Sequence, residues 1–86
     1  MTTWETLITQ EMALFNEGMN DIESSTLTAE QLAKGFDCGY GGTEGCAFTV
    51  WTKTRIYFPV CYDGSEWVGS VARHPDSIPT EHIKKN

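Results

Sequence analysis

Basic side chains are scarce in this chain and almost absent from its first half. Six Lys and Arg stand against twelve Asp and Glu over 86 residues, for a formal net charge of −6. Residues 1–52 carry Glu5, Glu11, Glu17, Asp21, Glu23, Glu30, Asp37 and Glu44 against Lys34 alone. Residues 53–86 hold Lys53, Arg55, Arg73, Lys84 and Lys85 against Asp63, Glu66, Asp76 and Glu81. A negative field confined to one region repels nucleic acid and anionic membrane, and attracts basic protein surfaces at a rate that falls with salt. With so few cations, the counterion release that normally supplies nucleic-acid affinity is mostly missing. Long apolar runs are lacking as well, since no stretch approaches the ~20 residues that a membrane span requires. The start Met1-Thr2-Thr3-Trp4-Glu5 has neither the basic residues nor the apolar run of a signal peptide. These absences lead us to expect a cytoplasmic protein that contacts neither membrane nor nucleic acid directly.

Cysteine is limited to Cys38, Cys46 and Cys61, an odd set that cannot close fully into disulfides and suits a reducing compartment. No C-x-x-C or H-x-x-x-H pair joins them to His74 and His82, so the expectation is buried small side chains with no metal and no cofactor. The segment 36–45, with four glycines in ten residues, lacks the G-K-[ST] ending of a phosphate-binding loop and carries Asp37 and Glu44. It reads as a turn between helices and sheet. Cys61 or Cys38 could be combined with His74 as nucleophile and base, but three cysteines and two histidines supply such combinations by chance. No enzymatic activity is expected.

Hydrophobic residues are 40% of the chain and aromatics 12%, enough for one folded core and too much for an acidic disordered tail. A chain this short buries roughly 60% of its unfolded surface, which allows one domain. Trp4, Leu7, Ile8, Met12 and Phe15 recur at spacings of three and four, predicting an amphipathic helix over 3–17 with Thr2 and Glu5 as its capping box and Gly18 as its stop. Asn20 to Thr26 reads as a polar linker. Thr28 and Gln31 repeat the capping-box spacing ahead of a short helix over 28–34.

Beyond Cys46 the period changes to that of strands, predicted over 46–52, 55–62 and 65–71 with an irregular tail over 72–86. Asp63-Gly64 is a strong hairpin signal, because a type I′ turn needs positive φ at both central positions. It sets Val60 opposite Trp67, Phe58 opposite Gly69 and Ile56 opposite Val71. An odd-length turn around Lys53 would then pair Val50 with Ile56 and Phe48 with Phe58, placing Cys46, Phe48, Val50, Ile56, Phe58, Val60, Trp67 and Val71 on one core face. Pro59 cannot donate to a ladder, so the middle strand should carry a bulge or lack a partner there. The expected fold is α+β, with both helices on one face of a three-stranded antiparallel meander.

Two surfaces emerge as candidates for binding a protein. Trp51, Arg55 and Tyr57 would lie together on the face away from the core, and these residue types are enriched at interface hot spots. Glu11, Glu17, Asp21 and Glu23, with Glu5, would present an acidic helix and linker to a basic groove. The alternatives are a sheet face covered by the tail or used for a homodimer, and an acidic face kept charged for solubility.

The run from Gly39-Tyr40-Gly41 through Trp51-Thr52, Tyr57-Phe58-Pro59, Tyr62-Asp63-Gly64 and Glu66-Trp67-Val68 to Arg73-His74-Pro75 resembles short accessory proteins encoded by bacteriophages and prophages. It covers roughly half of the chain and leaves out the first 35 residues. The resemblance assigns no residue a catalytic role. It implies a context in which small acidic proteins inhibit host machinery, including anti-CRISPR and anti-restriction proteins that occupy nucleic-acid-binding surfaces. A non-enzymatic inhibitor of a host protein with a basic surface is the leading expectation, and a self-associating structural or regulatory phage protein is the second.

Overall fold

The computed structural model describes residues 1–37 and 44–83. Along the chain run α1 (Trp4–Ala13), a 3-10 turn (Met19–Asp21), β1 (Ile22–Ser25), α2 (Ala29–Ala33), β2 (Val50–Thr52), β3 (Arg55–Tyr62) and β4 (Ser65–Ala72). The strands form one antiparallel sheet in the order β1-β2-β3-β4. The fold is α+β as expected, but the sheet has four strands rather than three. The extra strand, β1, lies in the stretch read as a linker. Glu23, Ser24 and Ser25 offer no apolar alternation, and only Ile22 turns toward the core, so the strand leaves almost no periodic signal.

Helix α1 starts one residue later than its expected cap and stops several residues sooner. Thr3 is the N-cap, its Oγ1 accepting the Thr6 N–H at 3.1 Å. Thr2 is committed elsewhere, exchanging two 2.9 Å backbone hydrogen bonds with Phe36. At the other end Asn16 takes a left-handed backbone with φ of 58°. The Asn16 N–H bonds to Ala13 O at 3.3 Å and the Glu17 N–H to Met12 O at 3.0 Å. These are the two hydrogen bonds of a Schellman stop, and asparagine tolerates the conformation it needs. The stop turns Glu17 back toward the sheet. Helix α2 keeps its expected capping box, with Thr28 and Gln31 each accepting the other's N–H.

One face of the sheet receives the helices. Trp4, Ile8 and Met12 of α1 pack with Leu27, Phe36, Phe48, Val50, Tyr57 and Val68, while Leu7, Met19, Ile22 and Leu32 close the periphery. The Trp4 ring lies 4.8 Å from both Phe36 and Phe48, and its Nε1–H donates to the Cys46 carbonyl at 3.0 Å. Buried Glu66 holds the approach to β2 by accepting N–H groups from Glu44 at 2.8 Å and Gly45 at 2.9 Å.

The β3–β4 hairpin has the register its sequence dictates. Asp63 and Gly64 have φ of 51° and 78°, and Ile56, Phe58 and Val60 face Val71, Gly69 and Trp67. Pro59 is opposite Val68, beyond the short pairing of β2 with β3, so its strand lacks a partner on that side and needs no bulge. The turn before it differs from expectation. Val50 pairs with Tyr57 and Trp51 with Ile56, leaving Lys53-Thr54 as a two-residue turn. Thr52 favours this turn by accepting the Thr54 and Arg55 N–H groups at its own Oγ1, at 3.3 and 3.0 Å.

That one-residue change of register reverses half of the face assignment. Phe48 and Val50 remain in the core, but they are joined there by Tyr57 and Val68, whereas Ile56, Phe58, Val60, Trp67 and Val71 point away from the helices and are only half-buried. Cys46 and Cys61 are exposed, contrary to the expectation of buried thiols. Cys38 and most of the glycine-rich segment fall at 38–43, outside the described residues. Beyond Ala72 the described tail has neither helix nor strand.

Gly45 is a sharp test of this packing. A Cβ there would collide with the six-membered part of the Trp4 indole, which packs against the rings of Phe36 and Phe48. Gly45→Ala should lower stability by about 1–3 kcal/mol, measured by urea unfolding, because neither ring nor backbone can yield without repacking.

Candidate functional site

Four of the residues singled out as partner contacts come together, but they contact one another. Glu17 is the centre of this cluster. Its Oε1 accepts the Tyr57 hydroxyl at 2.5 Å and the Thr52 hydroxyl at 3.1 Å, and its Oε2 accepts the Thr54 hydroxyl at 3.0 Å. One carboxylate thus ties the end of α1 to β2, to β3 and to the turn between them. Six residues earlier, within α1, Glu11 accepts from the Ser70 hydroxyl at 3.2 Å, and Ser70 Oγ accepts from Arg55 Nε and Nη2 at 3.1 and 3.0 Å. The Arg55 guanidinium also lies 3.6 Å from the centre of the Phe15 ring, a cation–π contact.

Burial governs the chemistry of the cluster. Tyr57 and Thr52 are 0% exposed and Ser70 5%. Burial, followed by the hydrogen bond to Glu17, pushes the Tyr57 phenol well above its ordinary range and keeps it neutral. Burial likewise raises Glu11 above the ordinary value of 4.5, partly offset by the Ser70 hydroxyl and the Arg55 charge. Acids, a phenol and a guanidinium are all present, with Tyr57, Thr52 and Ser70 buried and Glu11, Glu17 and Arg55 half-buried, and each is engaged by another member of the cluster. The cluster is a structural clasp, and reading Arg55 and Tyr57 as an exposed patch with Trp51 is incorrect. Trp51 stands on the opposite face, paired with Ile56.

The other acidic candidates have local roles. Asp21 Oδ2 accepts the Gly18 N–H at 2.8 Å and caps the 3-10 turn. Glu23 is the extra residue of a bulge between Ile22 and Ser24, and its Oε1 meets Arg73 Nη1 at 2.6 Å. Arg73 Nη1 also reaches the Thr52 carbonyl at 2.8 Å, while the Arg73 N–H bonds to Thr54 O at 2.9 Å. The pair is half exposed, which limits its contribution to about 1 kcal/mol or less. Glu11, Glu17, Asp21 and Glu23 therefore do not form one free acidic surface.

Among the described residues, the other apolar surface is the outer face of the sheet. Trp51, Ile56, Phe58, Val60, Trp67 and Val71 lie there half-buried, outside the core cluster, and Tyr62 continues the row at 68% exposure. The pairing of Val60 with Trp67 and of Phe58 with Gly69 was legible in the sequence, but its apolar character had assigned this face to the core. Cys61 and His74 belong to opposite ends of the β3–β4 hairpin, about 20 Å apart at strand spacing, so they do not form a nucleophile–base pair. His74 lines an open cleft of about 370 Å³ with Val71, Arg73, Pro75, Ile78 and Thr80. Among the described residues, no three His, Cys, Asp or Glu side chains are grouped to hold a metal ion, and no helix is long and apolar enough to cross a membrane.

Removing the clasp leaves buried hydroxyls unpaired, which costs more than the hydrogen bonds were worth. Glu17→Ala should destabilise by about 2–3 kcal/mol and lower Tm by about 10 °C or more in a chain of this size. Glu11 should behave in the opposite way at neutral pH. Its folded form binds a proton more tightly than its unfolded form, so its favourable contribution is complete only below 4.5 and is lost as pH rises through the higher folded value. Glu11→Gln should therefore equal or exceed the parent in Tm at pH 7, and lose that advantage on acidification toward pH 4.5. A larger Tm deficit at pH 7 than at acid pH would contradict this assignment.

With this geometry in place, comparison with protein-family models, curated proteins and solved structures finds no match to the chain.

Proposed function

We propose that this chain is a non-enzymatic protein that acts by binding another protein through the outer face of its sheet. The observation that supports this most is the arrangement of side chains about the sheet. The helices cover the face bearing Arg55, Tyr57, Glu66 and Ser70, while the row Ile56, Phe58, Val60, Trp67 and Val71 faces outward beside Trp51. Contiguous outward apolar side chains with two tryptophans are characteristic of interaction surfaces.

Charge narrows the partner. Arg55 is engaged with Ser70 beside Glu11, and Arg73 with Glu23, so two of the six cations have internal partners. Exposed Glu5, Glu30, Asp63 and Glu81 contribute to a surface suited to a basic protein, with the apolar face supplying short-range affinity. Joined with the resemblance to small phage accessory proteins, this makes the proposed partner a nucleic-acid-handling defence complex in the cytoplasm of a bacterial host, and the activity stoichiometric inhibition. The same face favours a second reading, a homodimer that buries it between two copies.

Sedimentation velocity and pull-down from bacterial lysate together test both readings. The heteromeric reading expects a monomer that retains a basic, nucleic-acid-handling host protein. Retention should fall with salt and in Glu5→Lys/Glu30→Lys, and should be lost in Trp51→Ala and Phe58→Ser. A wild-type dimer dissociated by Trp51→Ala or Phe58→Ser supports self-association instead. Retention unchanged by every substitution rejects the face as the binding site.

A further inference from the structure

Gly69 leaves a gap in the apolar outer face, and the gap is filled from an unexpected direction. A Cβ at Gly69 would lie 2.6 Å from Ile83 Cδ1, 2.9 Å from Val60 Cγ2 and 3.1 Å from Phe58 Cε1. The end of the Ile83 side chain therefore occupies a notch whose floor is glycine and whose walls are Phe58 and Val60. Gly69 is buried as a result, although it lies on the face away from the helices. The segment 73–83 that delivers Ile83 has no secondary structure, and each of its residues is exposed. Within this segment the Ile78 N–H bonds to Asp76 Oδ1 at 2.9 Å, a contact internal to the tail.

A peg at the end of an irregular segment is held by its effective concentration near the notch more than by the strength of the contact. Ile83 itself remains 42% exposed while seated. The notch holds the end of one aliphatic side chain, in the space that a Cβ at position 69 would otherwise take. We infer that the Gly69 notch is an anchor pocket for a β-branched aliphatic side chain of a partner's extended basic segment, and that Ile83 is the intramolecular occupant it displaces. This rests on the outer sheet face being the binding surface. The basic character follows from complementarity to a chain of net charge −6, which the tail meets only in part because Asp76 and Glu81 offset its Lys84 and Lys85.

The test uses the full chain carrying Ile83→Ser, which alters an exposed tail residue outside the core cluster. Amide NMR shifts of Phe58, Val60 and Gly69 should change in Ile83→Ser and be preserved in Ile83→Val. A synthetic peptide of residues 76–83 added to Ile83→Ser should move those shifts back. The wild-type chain, with its notch filled, should respond about tenfold less at the same peptide concentration. The peptide with serine in place of Ile83, and with Ile78 retained, should have no effect, and one with lysine in place of Asp76 and Glu81 should bind more tightly at low salt. Unchanged amides in Ile83→Ser, or an equal response to both the isoleucine and serine peptides, overturns the notch. Equal binding of acidic and lysine peptides overturns the basic partner. These readouts require no host protein, so loss of lysate binding with an intact peptide response rejects the proposed function separately.

Discussion

Ten residues of α1, about 15 Å of helix, must cover a sheet whose long hairpin runs about 26 Å and carries large apolar side chains on both faces. One helical layer can bury one face. Hydrophobicity alone would direct α1 to Ile56, Phe58, Val60, Trp67 and Val71. It packs instead on the face with Tyr57, Val68, Arg55, Ser70, Thr52 and Glu66, whose polar groups find partners in Glu11, Glu17 and the backbone at Gly45. An unpaired buried polar group costs about 1–3 kcal/mol, so this choice of face depends on nearly complete satisfaction. No buried side-chain polar atom among the described residues is left without a partner.

Much of the hairpin was legible because its signals are local. Asp63-Gly64 fixes a turn type, the turn fixes the register, and Pro59 locates the end of β2 pairing. The capping box of α2 was equally local. The register of β2 was not legible, because apolar matching across strands cannot choose between two faces that are both apolar. Its determinant was the Thr52 side chain accepting two N–H groups of the following turn, a contact with no hydrophobic signature. Strand β1 was hidden for a related reason, since its bulge aims Glu23 at Arg73 and leaves a polar edge with one inward residue.

The candidate site was legible in its residue types and misread in its geometry. Glu11, Glu17, Arg55 and Tyr57 do gather in space, but 40 residues separate Glu17 from Tyr57 and only the Schellman stop at Asn16 brings the carboxylate round. Charge counting met the same limit. It gives −6 correctly but does not reveal that Arg55 and Arg73 are engaged internally, which leaves Lys34 and Lys53 as the exposed lysines outside the tail among the described residues. The described surface thus has fewer free cations than the composition suggests.

The two surfaces contribute at different ranges. An acidic field acts over roughly a Debye length, about 8–10 Å at ordinary salt, and so influences approach without fixing orientation. The outer sheet face acts only on contact. Full burial of an isoleucine contributes roughly 1.5–3 kcal/mol, so a seated Ile83 that remains 42% exposed contributes about 1 kcal/mol. Exchanging it for a partner's aliphatic side chain is close to neutral. In the proposed complex, affinity would then come from burying Trp51, Phe58 and Trp67, and the notch would set register, because a single glycine floor admits an anchor at one position along the face.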